Sequence, residues 1–153
     1  MSELTHVDER GAARMVDVSQ KDVTERTARA AGTIRMTAGT LQAIRDNALR
    51  KGDVLAVART AGIMAAKRTA DLIPLCHPLP ITAVDIAFAV QTDPPALSVE
   101  ATVRTVARTG VEMEALVAAG VALITVYDMA KSMDRSMTVT DLRVVEKKGG
   151  RSG

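Results

Sequence analysis

Apolar positions recur along this chain in two rhythms, and each predicts a different kind of element. Val84, Ile86, Phe88 and Val90 alternate with Ala83, Asp85, Ala87 and Ala89; after Thr92-Asp93-Pro94-Pro95 the same period returns in Leu97, Val99, Ala101, Val103 and Thr105. Successive strand side chains point to opposite faces, so two such runs joined by a proline-bearing turn predict an antiparallel hairpin. Thr24 to Met36 alternates weakly between polar and small residues and reads as another strand, Met15-Val16-Asp17-Val18 as a short one, and Val139 to Val145 as a closing one. Helical spacing follows Thr37, whose hydroxyl can cap a helix carrying Leu41 and Ile44, and Asp53, which can cap another carrying Val54, Ala58, Ala61 and Ala65. Val111 to Met133 reads as one long helix. Three prolines in Ile73-Pro74-Leu75-Cys76-His77-Pro78-Leu79-Pro80 forbid a helix there and leave a shaped loop.

These elements predict an α+β, ferredoxin-like fold: a mainly antiparallel sheet with helices packed on one face. Residues 1–14 read as an N-terminal arm, 15–146 as a single α+β domain, and 147–153 as a flexible, Gly-rich basic tail. No internal repeat is visible. A chain of 153 residues is one ordinary domain, able to bury a core without disulfides.

Composition alters that picture in one respect. Hydrophobic residues make up 47% of the chain, yet Phe88 and Tyr127 are its only aromatics and Trp is absent. The core must be built from Ala, Val, Leu, Ile and Met. Small side chains bury less apolar area per residue, so further burial between subunits, in a homo-oligomer, is expected.

Net charge is +2, from 20 basic and 18 acidic residues spread along the chain, and no basic block offers a phosphate-tracking groove. Nucleic acid is therefore a poor partner, the more so because stacking platforms for bases are missing. One cysteine excludes an intrachain disulfide framework and suits a reducing compartment. Met1 to Arg14 lacks the apolar run of a signal peptide, and no later segment reaches membrane-spanning length free of charges. The expectation is a cytoplasmic protein without a membrane partner.

Chemistry is concentrated where ionisable residues enter apolar sequence: Thr109-Gly110-Val111-Glu112-Met113-Glu114-Ala115-Leu116, and Val126-Tyr127-Asp128-Met129-Ala130-Lys131. Desolvating an unpaired charge is costly, so charges in such segments are paired or have a task. Asp128 and Lys131 share a helical face, which an ordinary (i, i+3) ion pair would also explain. Lys51, ahead of Gly52-Asp53, is in isolation most simply a solvated lysine. His77 sits in the proline-braced loop, where a lone histidine is more often a satisfied structural hydrogen bond than a ligand. Cys76 beside it does not make a zinc site, because the chain offers one Cys and two His, with His6 in the arm. No metal is expected, and a buried inert thiol is the simpler reading. Lys67, Arg26, Asp17 and Arg104 are isolated charges of the kind usually found on solvated faces.

Spacing adds a constraint. Glu112 and Glu114 lie two apart, on roughly opposite faces if the helix has already begun. Glu112 and Asp128 are sixteen apart, ~24 Å along a straight helix and about 160° around it, too far to line one small pocket. Either the helix breaks, or one site is shared between chains; the second is favoured.

Leu72-Ile73-Pro74-Leu75-Cys76-His77-Pro78, the Thr109 to Leu116 segment, and Tyr127-Asp128-Met129 with Lys131 resemble, nearly word for word, the molybdenum cofactor biosynthesis protein C family, the cyclic pyranopterin monophosphate synthases. Met15-Val16-Asp17-Val18-Ser19, Lys51-Gly52-Asp53-Val54, Ala61-Gly62-Ile63 with Ala66-Lys67-Arg68, and the Gly-Gly-x-Ser-Gly tail follow in order, so the resemblance covers nearly the whole chain. Arg108 and Gly120 are small departures outside the strongest motifs. The resemblance implies conversion of (8S)-3′,8-cyclo-7,8-dihydroguanosine 5′-triphosphate to cyclic pyranopterin monophosphate and pyrophosphate, in a hexamer built as a trimer of dimers with shared sites. It implies catalytic Asp128, Lys131 and Lys51. Substrate contact falls to Leu75, Cys76, His77, Glu112, Met113 and Lys67, with Glu114, Arg26 and Asp17 in support and Arg104 of second rank. No cofactor is required, with room for Mg2+ beside the triphosphate. Such a reaction moves protons while rings open and close and holds polyphosphate charge, and lysine suits both needs.

Two rivals come from other classes. A noncatalytic oligomeric sensor of nucleotide or pterin would not call for Lys51, Asp128 and Lys131 together. A metal-dependent nucleoside triphosphate hydrolase would call for a Gly-rich phosphate loop and clustered metal carboxylates, which the sequence lacks.

Overall fold

The computed structural model describes residues 7–150. Residues 1–6 of the expected arm, with His6, and residues 151–153 of the expected tail lie outside the described residues. The elements run β1 (Thr24–Arg35), α1 (Ala38–Arg45), α2 (Val54–Lys67), α3 (Thr69–Leu72), β2 (Ile81–Thr92), β3 (Pro95–Ala107), α4 (Glu112–Ala130) and β4 (Thr138–Lys148). The four strands lie in the order β2-β3-β1-β4, and every neighbouring pair is antiparallel. This βαββαβ arrangement is the ferredoxin-like topology.

Strand alternation decides which face the helices cover. Arg26, Ala28, Ala30, Gly32 and Ile34 of β1 and Leu97, Val99, Ala101, Val103 and Thr105 of β3 are buried on one face. On them lies α4, through Ala115, Ala118, Ala119, Ala122, Leu123, Val126 and Ala130. Small residues set the spacing: a Cβ on Gly62 of α2 would come within 2.9 Å of the Ala118 carbonyl oxygen, so α2 approaches α4 backbone to backbone. By length and mean hydropathy, 1.6, α4 could cross a bilayer, but the face responsible is packed on the sheet.

Both helix caps form as the sequence predicts. The Thr37 hydroxyl accepts the Thr40 N–H at 3.2 Å, and Asp53 accepts the Ala56 N–H at 3.1 Å. The hairpin of β2 and β3 pairs Thr92 with Pro95 across Asp93-Pro94. Three expectations need correction. Met15 to Val18 form no strand; among the described residues the segment has no ladder partner, and it is held instead by the His77 ring on the Val16 carbonyl and by local turn bonds from the Ser19 N–H to Asp17 and the Lys21 N–H to the Val18 carbonyl. The long helix stops at Ala130 rather than Met133, because the Met133 and Asp134 N–H groups both turn back to the Ala130 carbonyl. Strand β4 runs three residues beyond Val145: Lys147 and Lys148, expected in the tail, pair with Ala28 and Thr27.

Beyond β4 the chain turns at Gly149 and Gly150, with φ of +94° and +68°. A Cβ on the first would strike the Glu25 carbonyl, so glycine is needed there for space as well as backbone freedom; on the second it would displace the Arg26 guanidinium, and the positive φ is the firmer demand.

Candidate functional site

The C-terminal end of α4 gathers the first group of expected residues. Carbonyls in a helix's last turn lack intrahelical partners, and the helix dipole makes that end negative, so cations are favoured there. The Lys51 ammonium, from the loop between α1 and α2, donates to the Asp128 carbonyl oxygen at 2.9 Å and to its Oδ2 at 3.2 Å. Lys131, the C-cap of α4, lies 3.0 Å from the other carboxylate oxygen, Oδ1. Bonds from Lys131 and then Lys51 hold the Asp128 carboxyl below the usual carboxylate range. All three side chains are about half exposed. Two ammonium groups thus meet on one carboxylate, at the surface of the single chain.

The opposite end of α4 is built differently. The helix starts at Glu112, so Glu112 and Glu114 diverge, as their spacing requires. Glu112 folds back over Gly110, where any Cβ would collide with its carboxylate, and its Oε1 lies 3.4 Å from the Lys147 ammonium. That oxygen is buried and lacks an aligned hydrogen-bond donor among the described residues. It borders a cavity of about 590 Å3 whose wall includes Lys21, Arg26, Thr109, Gly110 and Lys147. Arg26 is fixed from behind: its Nε donates to the Ala107 carbonyl at 3.0 Å and its Nη2 to the Asp22 carbonyl at 3.3 Å.

Glu114 faces the proline-braced loop. Only 3% of it is exposed, and its Oε1 has no hydrogen-bond partner among the described residues. Burial pushes its carboxyl above the usual range. Its Oε2 accepts the Cys76 thiol at 3.7 Å. Burial, and then the Glu114 charge, push that thiol up to about 11, so it is a protonated donor. Cys76 is half-buried rather than buried. His77 spends Nε2 on the Val16 carbonyl at 2.6 Å, a structural bond, and lines a second cavity of about 120 Å3 with Lys67, Thr69 and Glu114.

The structure therefore brings Lys51, Asp128 and Lys131 together at one end, and Glu112, Glu114, Cys76, His77, Lys67 and Arg26 near the other. Lys51, Asp128 and Lys131 line neither cavity. Leu75 and Met113 are half-buried and also line neither. Asp17 bonds the Ser19 N–H at 2.9 Å and is held low by Ser19, outside both cavities. Arg104 is exposed on β3. Lys147 was missed by sequence reasoning because the Lys-Lys-Gly-Gly run reads as a tail; continuing the β4 alternation two residues further would have found it.

The profile of the MoaC family matches residues 15–150. The chain is similar to the cyclic pyranopterin monophosphate synthase of Thermomicrobium roseum, 59% identical over 153 residues covering 100% of this chain and 92% of that protein. The synthase of Dinoroseobacter shibae is 58% identical, with 100% and 97% covered. Cyclic pyranopterin monophosphate synthase 3 of Mycobacterium bovis is 62% identical over 150 residues, 98% of this chain and 84% of that protein.

Proposed function

The chain belongs to the MoaC family, and from that premise we propose that it catalyses the cyclic pyranopterin monophosphate synthase reaction of molybdenum cofactor biosynthesis. It is a lyase that converts (8S)-3′,8-cyclo-7,8-dihydroguanosine 5′-triphosphate to cyclic pyranopterin monophosphate and pyrophosphate. The observation that carries the chemical reading is the meeting of Lys51 and Lys131 on Asp128. One ammonium serves as acid and phosphate anchor, and the other, once stripped of its proton, serves as base; Asp128 orients both. A lysine gives up its proton more readily when desolvated. In the single chain both are about half exposed, so a covering subunit and the substrate must supply that desolvation.

The same reading makes the site composite. Unbroken, α4 separates Asp128 from Glu112 by ~24 Å, so one subunit brings Lys51, Asp128 and Lys131 and its neighbour brings Glu112, Glu114, Met113 and the Leu75 to His77 loop. The assembly is a hexamer, a trimer of dimers, working in the cytoplasm, and residues 15–146 act as its catalytic unit. No resident cofactor is required; Mg2+ arrives with the triphosphate. The test is incubation with the cyclic triphosphate, following pyranopterin by fluorescence after oxidation and pyrophosphate release in parallel. Wild type yields both products and Lys51→Ala yields neither at a comparable rate. A folded, oligomeric wild type that makes no pyranopterin overturns the reading, and pyrophosphate release from ordinary guanosine triphosphate points to a hydrolase.

A further inference from the structure

We propose that Asp134 is a positioning residue for the two lysines, tying the turn that carries Lys131 to the start of α1, from which the chain leads to Lys51. The inference rests on the reaction proposed above. Packing of Met129 and Ala130 on the core fixes α4 only as far as Ala130. Lys131, Ser132 and Met133 are exposed, and the Met133 and Asp134 N–H groups reach back to the Ala130 carbonyl at 2.9 and 3.1 Å. Asp134 itself is 6% exposed. Its Oδ1 accepts the Ser136 N–H at 2.9 Å and the Ser136 hydroxyl at 2.6 Å. Those local bonds would suffice to close a turn.

The remaining bond does something else. Asp134 Oδ2 accepts the N–H of Thr37 at 2.9 Å, across 97 positions of sequence. Thr37 is the N-cap of α1, and its hydroxyl is 2.8 Å from that of Thr40, which is fully buried. From α1 the chain passes through a turn closed by the Gly52 N–H on the Leu49 carbonyl to Lys51. Both lysines lie outside regular structure, and this carboxylate links the segments that deliver them. Burying a carboxylate is costly, and four dipoles offset it: the Ser136 hydroxyl, the Thr37 and Ser136 N–H groups, and Thr40.

Asp134→Asn keeps an oxygen for Ser136 and loses the acceptor for Thr37. In the full-length oligomer, assayed well below its melting temperature, it lowers kcat for pyrophosphate release by about tenfold or more with KM within about threefold, as a misplaced catalytic group would. Val99→Ala, a truncation in the core of β3, serves as the control: it lowers Tm and leaves kcat unchanged. If Asp134→Asn does not fold, Thr37→Pro replaces it; the Thr37 φ of −70° suits proline, which deletes the N–H together with the hydroxyl that caps α1 and meets Thr40, and the same loss of kcat is expected, with Thr37→Val, which deletes the hydroxyl alone, keeping wild-type kcat. Independently of turnover, the 13C resonances of reductively dimethylated Lys51 and Lys131 shift together in the variant. A folded variant with wild-type kcat and unshifted resonances overturns the tie, as does a kcat loss matched by Val99→Ala. An inactive wild type would strike the proposed reaction, and the resonances alone would then decide the tie.

Discussion

At one end of α4 Lys51, Asp128 and Lys131 have one another as partners and none has a container. Lys51 and Lys131 share Asp128 on an open surface, where water competes for each contact. At the other end Glu112 and Glu114 each keep a buried oxygen with no hydrogen-bond partner among the described residues, that of Glu112 facing the Lys147 ammonium as an ion pair only, beside cavities lined by Arg26, Lys147, Lys67 and His77. Buried acceptors without donors are rare in folded proteins because each costs free energy. The first end resembles reagents awaiting a wall; the second, a wall with unfilled bonds awaiting a guest. Neither end is a complete site for a polyanion that must be both gripped and protonated, and a straight helix holds them ~24 Å apart. The proposed assembly juxtaposes two copies of the chain, one by each end, and so would supply what each lacks.

The largest expected effect separates the ends by mixing subunits. Lys131→Ala or Lys51→Ala alone lowers kcat about 10²- to 10⁴-fold, the range of general acid–base catalysis. Glu112→Ala alone also lowers turnover. When Lys131→Ala and Glu112→Ala chains are unfolded together and reassembled in equal amounts, about a quarter of composite sites draw both intact residues, so about a quarter of wild-type activity returns. Verified mixed oligomers that stay inactive would place the whole site within one chain and break the contrast between the ends.

A smaller effect probes the cavity end. With its thiol raised to about 11 from 9.0, Cys76 at pH 8 carries about a hundredfold less thiolate than an unperturbed thiol, and alkylation by iodoacetamide slows in proportion. Glu114→Gln removes the charge contribution but not the burial, and restores part of that rate. Alkylation of the folded oligomer at the rate of a free thiol would show that the Glu114 end is open to water, and the difference between the ends would shrink.

How much of this was legible in sequence follows from which interactions are local. The β2–β3 hairpin, the Thr37 and Asp53 caps and the long helix are written in periods of two and 3.6 and in residues a few positions apart. The divergence of Glu112 from Glu114, and the separation of Glu112 from Asp128, were also readable, because helix geometry alone dictates them. Long-range pairings were not. Lys51 reaches Asp128 across 77 positions, His77 reaches Val16 across 61, and Asp134 reaches Thr37 across 97; no periodicity encodes them. The short strand expected at Met15 to Val18 failed for the related reason that alternation specifies a face but cannot supply a ladder partner.

The smallest effect is thermodynamic and has opposite sign at the two ends. The carboxyl of Glu114 is raised above 4.5, chiefly by burial, so the stability linked to its titration is fully present below that value and is lost as pH rises through its folded value. At neutral pH the charge is a net cost, and Glu114→Gln should stabilise the protein by roughly 1 kcal/mol, a few degrees in Tm. The advantage should vanish as pH approaches 4. Asp128 is the reverse case: bonds from Lys131 and Lys51 hold it below 3.8, so its contribution is present above that value and disappears as pH falls through its folded value. Asp128→Asn therefore yields no gain at neutral pH, and its Tm curve converges with wild type only in acid. Melting curves of the assembled oligomer across pH 4 to 8 measure both slopes. If Glu114→Gln proves less stable than wild type at neutral pH, the buried carboxylate has found a donor in the assembly, and the unfilled acceptor that sets the cavity end apart is then filled before substrate arrives.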